Sequence, residues 1–494
     1  MRDETLERES PEELRRLTPS SKESIVRIAT LFAGLLLAAG ATLAVASEPG
    51  ELTAASGALA SYVAKPDPTY GWQVRARYQK HGAEMVELTL ESQTWRGGLW
   101  KHQMMLIKPS HVSDPGHGLL IVGGGRWRDS YETDAPPETL GDDADIFIAI
   151  ARRLNTVVAV VGQVPFQPLF DRREDQLIAY TFDQYLHTGD TEWPLLLPMV
   201  KAAVRAMDAS SEAAAKEWGT PLETFTVLGG SKRGWTTWLT AAVDRRVTGL
   251  VPAVIDALDM ERHFPYQTEV WGAPSDKIRP YTDLNLDKVL GSDDGAALRR
   301  IVDPFEYRAA IVQPKLVVLA TNDHYFPVDS ANLYWDSLVG PKYLLYLPNN
   351  QHSIKDYRRL IPSLDALNRS VVTGESLPTL EWEYRFGDDT TTLCVRSTPT
   401  PRHVRLWSAP SADRDFREAV WTAAPDHGRE HLYTFAIPRP ATGYVGVFAE
   451  AEYGRGLFPY SFSTNLVVLA APDVRAIGAR PAGTPGVCDV PAVR

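Results

Sequence analysis

Three residues of this chain have the types, and the order, needed for nucleophilic acyl transfer: Ser231, Asp323 and His352. A serine hydroxyl is a poor nucleophile until a base removes its proton. Of the three side chains, histidine is the one that titrates near neutrality. An aspartate behind the imidazole would hold its tautomer and stabilise the imidazolium that forms. The chemistry therefore needs three distant side chains brought together by the elements that carry them.

The serine stands at a strand-to-helix junction. Residues 225–228 form a short apolar run, Gly229 and Gly230 follow, and helix-forming residues start at Lys232. That is the pattern of a nucleophile elbow, a tight turn that lifts the hydroxyl out of the sheet over a helix N-terminus. The usual motif has a glycine two positions after the serine; here Arg233 stands there and the glycine is Gly234. A glycine-rich turn with an incidental serine, of the kind phosphate-binding folds use, is the competing reading of this segment alone. Two downstream segments favour the elbow. The apolar run 314–320 ends at Thr321-Asn322-Asp323-His324, and the run 342–347 ends at Pro348-Asn-Asn-Gln-His352. Serine, then acid after one strand, then histidine after the next is the order of α/β-hydrolases. Asp329 is a rival acid, read instead as a helix N-cap. Asp256 and Asp259, after the strand 250–255, are the other rivals, and Asp323 is preferred to all of them.

A developing oxyanion needs donors. The backbone N–H of Lys232 supplies one, and the loop after the strand 119–122 the other. That loop is Gly123-Gly124-Gly125-Arg126-Trp127, and the second donor falls to Gly124, Gly125 or Arg126. Trp127, Trp193, Trp235 and Trp271 are candidate cleft-lining aromatics, with ordinary core packing as the alternative for each. Lys232 and Arg233 hint at an anionic substrate, although side chains at a helix start often face solvent.

Positioning these groups calls for a mostly parallel sheet covered by helices on both faces. An antiparallel hairpin, 84–95 and 99–108, precedes the glycine loop. Helices are expected at 143–154, 175–186 and 192–218, the last packed beneath the serine-bearing strand. An insertion at 256–304, rich in aromatics and turn residues, is expected to roof the site. Past residue 378 the period shortens to alternating strands, which predicts a β-sandwich of immunoglobulin or fibronectin III type. The expected organisation is an export signal or membrane anchor over 1–46, a linker over 47–64, a hydrolase domain over 65–375, a sandwich over 378–470 and a flexible tail over 471–494. Residues 25–46 are almost wholly apolar and end in Ala44-Val-Ala46, which suits signal-peptidase cleavage and a periplasmic or secreted protein. A retained membrane anchor is the alternative.

Composition narrows the class. The chain has 494 residues, 44% of them hydrophobic, and a formal net charge of −11, which argues against nucleic acid or an anionic membrane surface as partner. There is no Walker A loop and no Cys/His metal spacing. His102, His111 and His117 do not read as ligands, and no cofactor is called for. Cys394 and Cys488 are the two cysteines, and whether they pair is open.

The segment 227–244, with its Gly229-Gly-Ser-Lys-Arg-Gly-Trp235 core, resembles the PhoPQ-activated pathogenicity-related proteins, as do 177–181 and 194–208. The resemblance runs from about residue 62 to 469. It implies an exported protein with an α/β-hydrolase core, and carries over Ser231 as nucleophile with Asp323 and His352 as its partners. Residues 229–234 also resemble the Gly-Cys-Ser-Arg-x-Gly elbow of glucuronoyl esterases, with Gly230 and Lys232 as departures. The expectation is a serine hydrolase acting on an ester or peptide bond of a small molecule, glycan or peptide. The competing expectation is a catalytically silent binding or signalling protein, meeting a protein partner through the C-terminal sandwich.

Overall fold

The computed structural model describes residues 57–424, 432–454, 458–478 and 480–489. A nine-stranded sheet runs in the order β1-β2-β3-β5-β4-β6-β7-β8-β9. Its strands are β1 (Gly71–Lys80), β2 (Ala83–Trp95), β3 (Gly98–Lys108), β4 (His117–Val122), β5 (Val157–Val161), β6 (Thr224–Gly230), β7 (Val247–Ala253), β8 (Lys315–Ala320) and β9 (Lys342–Leu347). From β5 to β9 every pairing is parallel, while β1, β2 and β3 meander antiparallel at one edge. The parallel strands are short apolar runs because both faces are covered; β8 is buried along its whole length. β1 was not anticipated. Its signal was present: Trp72, Val74, Ala76 and Tyr78 alternate with polar residues and pack against the core, while Gln73, Arg77 and Gln79 are exposed.

This topology places the chemistry. The chain leaves β4 for β5 on one side and returns to β6 on the other, so the strand order reverses at β4. Loops at the carboxyl ends of strands flanking such a reversal open a crevice. The segments after β4, β6, β8 and β9 all leave the sheet at that rim, and they contain the glycine loop, Ser231, Asp323 and His352.

The helices that accompany the sheet include α1 (Ala58–Ala64), α2 (Asp145–Leu154), α3 (Glu174–Thr188), α4 (Leu196–Trp218), α5 (Lys232–Val243), α6 (Met260–Trp271) and α7 (Tyr357–Thr373). α5 is buried almost all round, enclosed by β6, β7 and α4. α4 was expected beneath β6. It packs instead on β2 and α5, because α5 already occupies the space under the serine strand. The stretch read as a linker over 47–64 is also corrected in part. Residues 57–64 hold α1, whose Leu59, Tyr62 and Val63 are buried, with α4 as its main neighbour. The apolar segment 25–46 lies outside the described residues. No helix among the described residues is long and apolar enough to cross a membrane.

Beyond α7 and its left-handed cap at Gly374 come two antiparallel sheets. One contains β10 (Thr379–Phe386), β11 (Thr390–Thr398) and β14 (Leu432–Pro438). The other contains β12 (His403–Ser411), β13 (Thr422–Ala423), β15 (Tyr444–Tyr453), β16 (Tyr460–Ser463) and β17 (Val467–Ala470). β16 and β17 pair with opposite ends of β15, and Thr464 between them accepts the Ala449 N–H. The tail is not free either. Cys394 on β11 is disulfide-bonded to Cys488, and the Trp382 indole donates to the Ala482 carbonyl at 2.8 Å. Proline and alanine content suggested disorder, but the disulfide and these contacts hold residues 482–489 on the β10–β11 edge.

Candidate active site

β6 delivers Ser231 into a backbone conformation rare for a side-chain-bearing residue, φ 57° and ψ −129°. Two glycines make the turn possible. A methyl group on Gly229 would collide with the Arg233 carbonyl, and one on Gly234 would lie 2.9 Å from the Gly229 oxygen and from Ile255. Gly230 is different: the nearest atom to an added Cβ is Val254 Cγ2, at 3.9 Å. The glycine shifted from the second to the third position after the serine therefore serves the same close packing of strand on helix.

The three sequence candidates converge. Ser231 Oγ lies 2.8 Å from His352 Nε2, and His352 Nδ1 lies 2.8 and 3.0 Å from the two oxygens of Asp323. Asp323 is 7% exposed and also accepts the Tyr325 N–H at 2.9 Å, so its carboxylate is fixed from two sides. The Tyr325 ring lies over the imidazole with centroids 4.1 Å apart. Sequence reasoning missed Tyr325, although an aromatic two residues after the acid was there to be read.

The rival acids are occupied elsewhere. Asp256 accepts the Tyr334 hydroxyl at 2.8 Å, and its pKa is pushed well above the usual range by burial. Asp259 pairs with Arg262. Asp329 precedes a 3-10 turn, yet its side chain caps nothing; it receives Tyr266 and Arg414 at 2.8 Å each.

Peptide planarity settles how the glycine loop faces. The Gly123 carbonyl accepts the Val164 N–H, the Gly124 carbonyl accepts the Gln163 N–H, and the Gly125 carbonyl accepts Gln167 Nε2 at 2.6 Å. In a trans peptide the N–H points opposite to the carbonyl before it. The N–H groups of Gly124, Gly125 and Arg126 are therefore turned away from the 163–167 segment. Lys232 is the first residue of α5, where an N–H has no intrahelical acceptor.

The side chains of Lys232 and Arg233 do not face solvent or an open cleft. Arg233 holds both oxygens of Glu174, and Lys232 Nζ lies 3.0 Å from Glu174 and 3.2 Å from Asp175. Burial favours the neutral form of Glu174, but Arg233, Lys232 and Gln167 more than offset that and hold its carboxyl well below the ordinary range. The hint of an anionic substrate in these two cations finds no support, because both are paired with carboxylates of the chain, and the alternative that they face solvent does not hold either. The same 163–175 segment thus orients the glycine loop and, through Glu174 and Asp175, neutralises the two cations beside the serine. Nothing in the sequence linked Glu174 to Arg233.

The tryptophans divide. Trp235 is corrected from cleft to core: it is 6% exposed, packs edge-on against Phe182, and its indole N–H reaches the Val302 carbonyl. Trp127 is half-buried against Tyr131 and Phe166 beside the glycine loop. Trp193 packs with Trp95, Phe170 and Tyr180. Trp271, at the end of α6, carries the Arg417 guanidinium 4.6 Å from its ring. An open cleft of about 600 Å³ is lined by Arg172, Gln176 and Arg279 among others, and by none of Ser231, Asp323 or His352.

Comparison with known proteins places the chain. Residues 59–417 match the family described as PhoPQ-activated pathogenicity-related protein. Autocrine proliferation repressor protein A of Dictyostelium discoideum is 30% identical over 433 residues, covering 80% of this chain and 85% of that protein. Among solved structures, acetyl xylan esterase 1 from Thermoanaerobacterium sp. aligns with 63% of this chain and 92% of its own at 14% identity and TM-score 0.42. A glucuronoyl esterase from Solibacter usitatus aligns with 65% and 90% at 14% identity and TM-score 0.35.

Proposed function

The chain belongs to the PhoPQ-activated pathogenicity-related protein family, and on that footing we propose that it is an exported serine hydrolase of the α/β-hydrolase fold, acting by acyl transfer. The observation that carries this reading is the unbroken hydrogen-bond line from Ser231 through His352 to Asp323, built on a serine with strained backbone. Here His352 Nε2 takes the Ser231 proton as Oγ bonds to the carbonyl carbon of an ester or amide. Asp323 holds the Nδ1 proton and stabilises the imidazolium. The carbonyl oxygen, now an anion, receives N–H groups from Lys232 and from the 124–126 loop. Collapse breaks the bond to the leaving group, which departs with the proton from His352. A water, deprotonated by the same imidazole, then releases the acid and restores the serine.

The substrate is a small molecule, glycan conjugate or peptide. Export rests on the apolar segment 25–46, and the two C-terminal sheets are read as a sandwich domain starting near residue 378. The name of the Dictyostelium relative supports a second reading, a signalling protein on a hydrolase scaffold. A panel of p-nitrophenyl acyl esters and short peptide amides separates the two. Turnover of any member by the wild type, abolished in Ser231→Ala, supports the hydrolase; equal background from both proteins supports the signalling protein.

A further inference from the structure

The loops after β8 and β9 carry Asp323 and His352, and both are gripped from outside the parallel sheet. Asn322, adjacent to the acid, donates its amide to the Ala419 carbonyl at 2.7 Å and the Phe416 carbonyl at 3.1 Å. Asn349, three residues before the base, donates to the Trp421 carbonyl at 2.9 Å and accepts the Trp421 N–H at 2.8 Å. The two loops also hold each other: the Asn322 N–H donates to the Asn350 carbonyl, and the Asn349 N–H to Thr321 Oγ1, each at 2.9 Å.

The gripping segment, 413–421, connects β12 to β13. It is rooted in the C-terminal sheets through two buried aromatics, Phe416 and Trp421, whose rings lie 5.8 Å apart. Trp421 packs against Phe448 of β15, and Gly446 on the same strand leaves the space its ring occupies. At the outer edge Glu418 lies 3.1 Å from His324, next to the acid, and Arg417 covers Trp271. Loops carrying reactive groups are mobile unless tied to a rigid element. A displacement of about 1 Å in a reacting group costs on the order of a hundredfold in rate.

Resting on the reading of Ser231, His352 and Asp323 given above, we propose that segment 413–421 of the C-terminal sheets is a positioning element of the acyl-transfer site. It fixes, through Asn322 and Asn349, the loops that carry acid and base. Neither asparagine touches the reacting atoms. The C-terminal sheets then act on catalysis itself, and the α/β part alone holds an incompletely ordered site.

The test uses the full-length chain. Asn322→Ala and Asn349→Ala are each expected to slow labelling by a fluorophosphonate about tenfold to a hundredfold, with KM for an acyl ester little changed. A second readout is independent of turnover. The low-field proton on His352 Nδ1, assigned by its loss in His352→Gln, should broaden or vanish in the proton NMR spectrum of both variants. Tyr453→Phe is the control: it removes a hydroxyl 2.7 Å from Ser397 within the C-terminal sheets, far from these loops in the hydrogen-bond network. It should lower the thermal midpoint and leave labelling and the proton unchanged. The proposal is overturned if folded asparagine variants label at the wild-type rate with the proton intact, if Tyr453→Phe reproduces their loss, or if the wild type shows no such proton. Should Asn322→Ala not fold, Asn349→Ala decides alone. Wild type that resists labelling counts against the hydrolase reading, and the His352 proton still decides the positioning claim.

Discussion

Arg233 grips Glu174 with both ends of its guanidinium, at 2.8 and 2.9 Å, across a gap of 59 residues in sequence. The pair joins the helix that starts behind Ser231 to the segment that orients the glycine loop. Glu174 ionises well below the usual range because the neighbouring cations outweigh its burial. A carboxyl with a depressed folded-state pKa adds stability above its unfolded value of about 4.3, lost as pH falls toward the folded value. Glu174→Gln should therefore lower the thermal midpoint at pH 7, with the gap to wild type closing as pH falls below about 4. Melting curves across that range check this, and a gap independent of pH contradicts it.

The elbow glycines make opposite predictions. Gly229→Ala places a methyl against the Arg233 carbonyl and should abolish soluble folded protein or cost several kcal/mol, on the order of 3. Gly230→Ala meets nothing closer than 3.9 Å and should stay within about 1 kcal/mol of wild type. Urea denaturation of the two variants side by side reads the difference. Equal stability of the pair would mean that the turn is not packed as described.

Gln167 ties the glycine loop to Glu174: its amide donates to the Gly125 carbonyl and to Glu174 Oε1, at 2.6 Å each. Gln167→Ala frees the peptide that aims the Arg126 N–H. The expected result is a kcat lower by about tenfold to a hundredfold with KM nearly unchanged, the mark of a contact made to the transition state. A rise in KM alone would assign Gln167 to substrate binding instead.

Asp329 and Arg414 are each 2% exposed and 2.8 Å apart, joining the loop after β8 to the C-terminal sheets, with Tyr266 of α6 as third member. Removing one partner from such a pair costs about 3–5 kcal/mol, because the other charge is left buried. Arg414→Met should show that loss in chemical denaturation. Combining it with Asp329→Asn should recover a large part, and a double variant as unstable as the sum of the singles would contradict the pairing.

Much of the site was legible because its signals are local. An apolar run, two glycines and a serine announce a strand, a turn and a hydroxyl in sequence, and the acid and base each follow a strand of their own. The hairpin 84–95 and 99–108 was legible for the same reason, its Arg96-Gly97-Gly98 turn being written between two alternating runs. What stayed hidden depends on partners far along the chain. Lys232 and Arg233 look free until Glu174 is folded against them. Trp235 looks like a cleft residue until Phe182 and Val302 enclose it. Asp329 looks like a cap until Arg414, 85 residues later, reaches it. Composition misled at both ends: alanine-rich 58–64 is a packed helix, and the proline-rich tail is held by Cys394 and by Trp382.

The central claim is that the Ser231 oxygen is activated by His352. Mass spectrometry of the intact protein after exposure to a fluorophosphonate tests it most directly, with tryptic mapping of the adduct. The account predicts one phosphonyl group per chain, on Ser231, absent from Ser231→Ala and formed far more slowly in His352→Gln. A folded wild-type protein that takes up no phosphonyl group, or carries it on another residue while Ser231 stays unmodified, would contradict the account.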